Sequence, residues 1–169
     1  MIFKARAKGL AVDATCGNGF DTQFLAELGF KRVLGFDIQE LAISATRKRL
    51  KQAGINQVEL VLASHQVINQ YIAATVDCVM FNFDYLPTGD KAIVTTPVNS
   101  VAALAIAASL LSPHGVISLM CYPGHPSDAV ETQSILEWFD TLNDQWIVDT
   151  HLDVSPKPTA PILYLLQLS

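Results

Sequence analysis

Asp13, followed by Gly17, Gly19, Asp21 and Thr22, is the constellation in this chain best suited to chemistry. It sits in the run Val12-Asp13-Ala14-Thr15-Cys16-Gly17-Asn18-Gly19-Phe20-Asp21-Thr22. Upstream, Gly9-Leu10-Ala11-Val12 has the character of a buried parallel strand. Downstream, Phe24, Leu25 and Leu28 recur at helical spacing until Gly29 ends the pattern. A strand, a glycine turn and a helix in succession form a cradle for a nucleotide. The glycines let backbone approach the ligand, and the helix start offers N–H groups without intrahelical partners. The spacing is Asp-x-x-x-Gly-x-Gly, and Thr22 replaces the third glycine of the dinucleotide fingerprint, which argues against NAD. A carboxylate four residues before the first glycine suits a ligand with a cationic amino-acid end, such as S-adenosylmethionine. The alternative is a strand-to-helix turn with no ligand.

The elements that must position this loop follow in order. Arg32–Asp37 reads as a second strand ending in an acid twenty residues beyond Gly17. In doubly wound nucleotide-binding folds such an acid accepts the two ribose hydroxyls; otherwise Asp37 is a surface acid at a strand end. Glu40 to Ala53 forms a helix stopped by Gly54. Val58–Leu62 is a third strand, with Ser64 as N-cap of a short helix. His65 either reaches an adenine or only caps and packs. Val76–Phe81, apolar apart from Asp77, is a central strand. A polar amide at its carboxyl end is poorly explained by packing, so Asn82 and Tyr85 are candidates for holding the group that reacts.

Thr95-Thr96-Pro97 opens a helix from about Asn99 to Leu111, closed by Pro113 and Gly115. Gly115–Cys121 is a fifth strand leading into Tyr122-Pro123-Gly124-His125-Pro126, where His125 is a candidate base or a turn residue. Trp146–Leu152 and Ile162–Leu166 are the last strands. The link between them, from Asp153 to Pro161, is too short for a crossover helix, so the pair is antiparallel. Five strand–helix units and a terminal hairpin describe an α/β class I methyltransferase sheet, Rossmann-like, with seven strands and helices on both faces, better than a dehydrogenase.

Composition sets the outer bounds. A chain of 169 residues, half hydrophobic and 16% charged, is expected to be one globular domain over residues 1–169. No apolar run reaches membrane-span length and Met1 to Lys8 has no signal-peptide core, so a cytoplasmic protein without a membrane partner is expected. Cys16, Cys78 and Cys121 have no metal-ligand spacing, and no metal is expected. The net charge of −5 argues against a bulk nucleic-acid binder. It is unevenly spread, however. Residues 1–51 hold nine of the eleven Lys and Arg against five acids, leaving two cations against eleven acids in the remainder. Arg47, Lys48, Arg49 and Lys51 therefore either face a polyanion or form the solvated face of a helix.

Several of these stretches occur together in one order: Asp13 to Gly19 with Asp21-Thr22, Phe36-Asp37-Ile38-Gln39, Ser64-His65, Tyr85-Leu86-Pro87 with Gly89-Asp90-Lys91, and Gly124-His125-Pro126 with Glu131. In this the chain resembles a small bacterial family of rRNA methylase-like proteins. That family includes a tRNA methyltransferase acting on 5-aminomethyl-2-thiouridine at the wobble position. It departs from the pattern at Phe20, where the family carries histidine, and at Asp84 and Thr88, where it carries glycine. The resemblance implies S-adenosylmethionine as cofactor and a modified uridine in the anticodon region of tRNA as acceptor; the sequence leaves a homodimer open. It implies that Asp13, Thr15, Gly17, Asn18, Gly19, Asp21, Thr22, Asp37, Ile38, Gln39, Ser64 and His65 line the cofactor site. Asn82, Tyr85 and His125 would face the acceptor. Other readings are a methyltransferase for a small metabolite, an NAD-dependent oxidoreductase, and a nucleotide-binding module without catalysis.

Overall fold

The computed structural model describes residues 9–83, 97–124, 126–151 and 160–169, with 126–128 as backbone only. Four consecutive buried residues make β1, Leu10–Asp13, a strand that must be covered on both faces. It is followed by α1 (Phe20–Glu27), β2 (Arg32–Asp37), α2 (Glu40–Gln52) and β3 (Val58–Leu62). A 3₁₀ turn over His65–Gln70 leads to β4 (Val76–Asn82), then α3 (Pro97–Leu110) and β5 (Leu111–Cys121). The chain closes with α4 (Pro126–Phe139), β6 (Trp146–His151) and β7 (Ile162–Leu168).

The seven strands form one sheet in the order β3-β2-β1-β4-β5-β7-β6. The first five are parallel, whereas β7 runs antiparallel between β5 and β6. The chain order reverses between β1 and β4, and in open α/β sheets the crevice beyond the strand ends at such a point takes the ligand. Alternate residues of the central strands feed two cores. Val12, Val79, Phe81, Ile117 and Leu119 pack with Ala103 and Leu104 of α3 and Ile135 of α4. Ala11, Cys78, Val116 and Leu165 pack with Leu25 and Ala26 of α1 on the other face. Helices therefore cover both faces, as the strand patterns require. Among the described residues no helix is long and apolar enough to cross a membrane.

Several element ends shift by one or two residues from expectation, and the start of β5 shifts furthest. The helix before the fifth strand ends at Leu110, and β5 begins at once with Leu111 opposite Val76. Cys78 then stands opposite Val116, so β5 carries extra residues there, including Pro113. A bulge is where a strand tolerates a residue with no amide to donate. Asp77, the one acid in the apolar run of β4, secures this end of the sheet. Its two oxygens accept from Gly9 N (2.7 Å) and Ser112 Oγ (2.7 Å).

Candidate active site

The loop after β1 is folded tightly by its own backbone. Gly19 N donates to Cys16 O (2.7 Å), and Cys16 N donates to Phe36 O of β2 (2.9 Å). Gly17 and Gly19 both have positive φ, 51° and 78°. A Cβ on Gly19 would also lie 2.9 Å from the Cα of Thr46, so α2 crosses directly over the loop. Gly35 makes the matching concession on β2, where a Cβ would meet Cys16 Sγ at 2.6 Å. These approaches bring the ends of β1 and β2 together with α2 above them.

Asp13 is fully buried at the end of β1. Its carboxyl accepts from Thr22 Oγ1 (2.5 Å) and from Thr15 N (3.1 Å). Burial pushes its pKa up to about 7, against the lowering effect of these two bonds. Thr22 is equally buried. Both side chains therefore point into the protein and shape the loop from beneath, rather than presenting themselves at its surface. Cys16 is buried too, and burial holds its thiol well above the ordinary range, where it is no nucleophile.

Asp37 takes a hydrogen bond on each oxygen, from Gly17 N (3.0 Å) and Gln39 N (2.9 Å). Each carboxylate oxygen keeps a further lone pair, enough for the two hydroxyls of a ribose. Ile38 beside it is substantially exposed, and Gln39 is the N-cap residue of α2. Ser64 Oγ accepts from Gln66 N (3.3 Å) and so caps the 3₁₀ turn. His65 packs edge-on against Phe81 and Phe83, with ring centroids 6.1 and 5.9 Å away. Burial lowers its pKa, so its ring is neutral at pH 7.

Asn82 ends β4 across the crevice from the loop. Its backbone N donates to Thr15 Oγ1 (2.8 Å), and its side-chain Nδ2 donates to Asp21 Oδ2 (3.2 Å). Among the described residues, two buried side-chain atoms have no hydrogen-bond partner: His65 Nε2 and Asn82 Oδ1. Leaving a buried polar atom unpaired costs about 1–3 kcal/mol. Asn82 Oδ1 stands at the end of β4, beside the loop that Thr15 anchors, whereas His65 packs among Phe81 and Phe83.

The structure thus gathers Thr15, Gly17, Asn18, Gly19, Asp21, Asp37 and Asn82 through direct hydrogen bonds or adjacent backbone. Tyr85 and His125 lie outside the described residues. Arg49 has a role that its basic neighbours do not suggest. Its Nε donates to Asn18 O (2.7 Å), and its guanidinium lies 3.5 Å from the ring centroid of the exposed Phe20. Arg47, Lys48 and Lys51 are exposed on the same helix. Thr46 Oγ1 donates to Gly17 O (3.2 Å), so α2 supports the loop at two points. Partners 29 and 31 residues apart leave no local signal in the sequence.

The strand order, the glycine loop at the switch point and the acid ending β2 define a class I methyltransferase fold. Residues 33–167 match the family described as "Putative rRNA methylase", and the chain belongs to that family. A chloroplastic tRNA (mnm(5)s(2)U34)-methyltransferase from Arabidopsis thaliana is 33% identical over an alignment that takes in 92% of this chain and 61% of that protein. The chain therefore spans about three fifths of that curated relative. The crystal structure of a putative rRNA-methylase from Clostridium thermocellum superposes with a TM-score of 0.92 at 36% identity, covering 99% of this chain and 92% of the other. A putative methyltransferase from Streptococcus mutans in complex with SAH gives 0.85 at 32% identity, covering 95% and 88%.

Proposed function

We propose that this protein transfers a methyl group from S-adenosylmethionine to the aminomethyl nitrogen of a modified wobble uridine in tRNA. The observation that carries the reading is the pairing of a nucleoside-binding loop, closed on Asp37, with a buried amide oxygen at Asn82 awaiting a donor. Family membership, the SAH bound by the Streptococcus mutans relative and the tRNA activity named for the Arabidopsis relative support it. The exposed Arg47, Lys48 and Lys51 supply cations for RNA phosphates on a surface whose overall charge is otherwise unfavourable.

The cofactor, when bound, would supply a methyl carbon on a positively charged sulfur, so that an S–C bond would be exchanged for an N–C bond, the sulfur would keep the electron pair and the amine's surplus proton would pass to water. What the chain does is bind and orient. Asp37 would receive the ribose hydroxyls, and the glycine loop would accommodate the amino-acid end. Asn82 Oδ1 accepts an N–H of the acceptor amine and turns the nitrogen lone pair toward the methyl carbon. No covalent enzyme intermediate is needed. With its thiol held protonated in the interior, Cys16 would not provide one.

The test combines binding and transfer. Each charge-assisted hydrogen bond to Asp37 contributes roughly 1.5–3 kcal/mol. Asp37→Ala should therefore weaken S-adenosylmethionine binding by at least about tenfold in calorimetry, since 1.4 kcal/mol is a decade. With labelled methyl donor, the wild type should label tRNA carrying the aminomethyl side chain. Tight NAD binding without S-adenosylmethionine binding would overturn the cofactor. Labelling of a free metabolite in preference to tRNA would overturn the acceptor.

A further inference from the structure

Asn82 has two chemically opposite ends, an oxygen that accepts and an NH₂ that donates, and its use depends on which end faces the crevice. The structure holds the NH₂ end against Asp21 Oδ2 at 3.2 Å and leaves Oδ1 buried without a partner among the described residues. A carboxylate has acceptors only, so the nitrogen must be the end turned toward it. Asp21 stands in the first turn of α1, 61 residues before Asn82, and the bond spans from that helix to the end of β4. The backbone of Asn82 is fixed separately, by its own N–H to Thr15 Oγ1. The main chain is therefore held without Asp21, and the side-chain contact has the orientation of the amide left to set.

We infer that Asp21 is a positioning residue for methyl transfer: it locks the Asn82 amide with its oxygen toward the acceptor, so that the site receives a nucleophile carrying an N–H or O–H. A nucleophile with no hydrogen to donate, such as a tertiary amine, would leave Oδ1 unpaired and is disfavoured. In this role Asp21 acts through Asn82, which differs from the cofactor-lining place that the resemblance implies for it. The inference rests on the acceptor proposed above, and it adds the residue that sets the polarity of the acceptor site.

The experiment is a double-mutant cycle with a spectroscopic arm. In ¹⁵N-labelled protein without ligand, the side-chain amide of Asn82 is identified as the resonance missing from Asn82→Ala. Asp21→Ala should move that resonance to a non-bonded position. In single-turnover transfer to aminomethyl-tRNA, Asp21→Ala should slow the chemical step about tenfold or more, with S-adenosylmethionine affinity little changed. In the Asn82→Ala background the same change should cost nothing further. The exchanged pair, Asp21→Asn with Asn82→Asp, should recover much of the rate that Asn82→Asp loses alone, because it restores one donor and one carboxylate in contact. An unmoved resonance, an equal loss in both backgrounds, or a loss of cofactor affinity in place of rate would each overturn the inference. A wild type that binds S-adenosylmethionine but methylates no aminomethyl-tRNA would contradict the acceptor instead, and the resonance arm would still decide Asp21.

Discussion

Replacing Asn82 by alanine is expected to slow methyl transfer about a hundredfold, the scale on which misplacing a reacting group is felt. The truncation removes only the amide. The Asn82 backbone N–H that holds Thr15 Oγ1 at 2.8 Å remains, so the cofactor loop should keep its shape and its affinity. In the proposed reaction the acceptor is an amine, and only its neutral form has a lone pair to attack with. With lysine's reference pKa of about 10.4 as an upper bound, deprotonation at pH 7 costs up to roughly 4.6 kcal/mol. A sulfonium charge bound nearby and desolvation of the amine would both reduce that cost. Orientation is then the contribution left for the protein, and in the proposed mechanism Asn82 Oδ1 supplies it. Single-turnover rates across pH should show a depressed plateau in Asn82→Ala with the pH dependence retained. A wild-type rate would place the chemistry elsewhere.

The second large effect concerns stability. Asp13 has a folded-state pKa of about 7 against 3.8 for the ordinary group, raised chiefly by burial. The folded protein therefore holds a proton between these values that the unfolded chain has released. Stability from this group is fully present below about pH 4, declines as pH rises, and levels off above about pH 7. The total is on the order of 4 kcal/mol, because each pH unit separating the two values contributes about 1.4 kcal/mol. Asp13→Asn fits the same space. Its oxygen accepts from Thr15 N and its nitrogen donates to the Thr22 hydroxyl, with no charge to bury. Urea unfolding of the ligand-free protein at pH 5 and pH 8 should show the variant gaining on the wild type as pH rises. A stability difference independent of pH would show that Asp13 titrates normally.

Much of the frame was legible because buried parallel strands announce themselves. Arg32–Asp37 and Val58–Leu62 run as expected, residue for residue, and the short proline-rich link after the sixth strand required the antiparallel pair that β6 and β7 make. The start of β5 was not legible, since Pro113 reads as a helix stop and only its pairing partner shows that the strand is already under way. In the site, residue types gave the loop and Asp37, but not which way side chains face. Asp13 reads as a ligand-facing carboxylate until its full burial and its bond to Thr22 are seen. Arg49 reads as one of a basic run, yet it braces Asn18 and stacks on Phe20. The Asp21–Asn82 bond joins two residues that the sequence assigns to different ligands. Such links depend on the crossing of elements far apart in the chain, which periodicity does not encode.

The most direct measurement is mass spectrometry of tRNA nucleosides from cells lacking this gene and from the same cells carrying it again. The expected result is loss of the methylaminomethyl-uridine nucleoside, accumulation of its aminomethyl precursor in matching amount, and reversal on complementation by the wild type but not by Asn82→Ala. An unchanged methylaminomethyl nucleoside with no accumulated precursor would contradict the assignment of this methyltransferase to the wobble uridine.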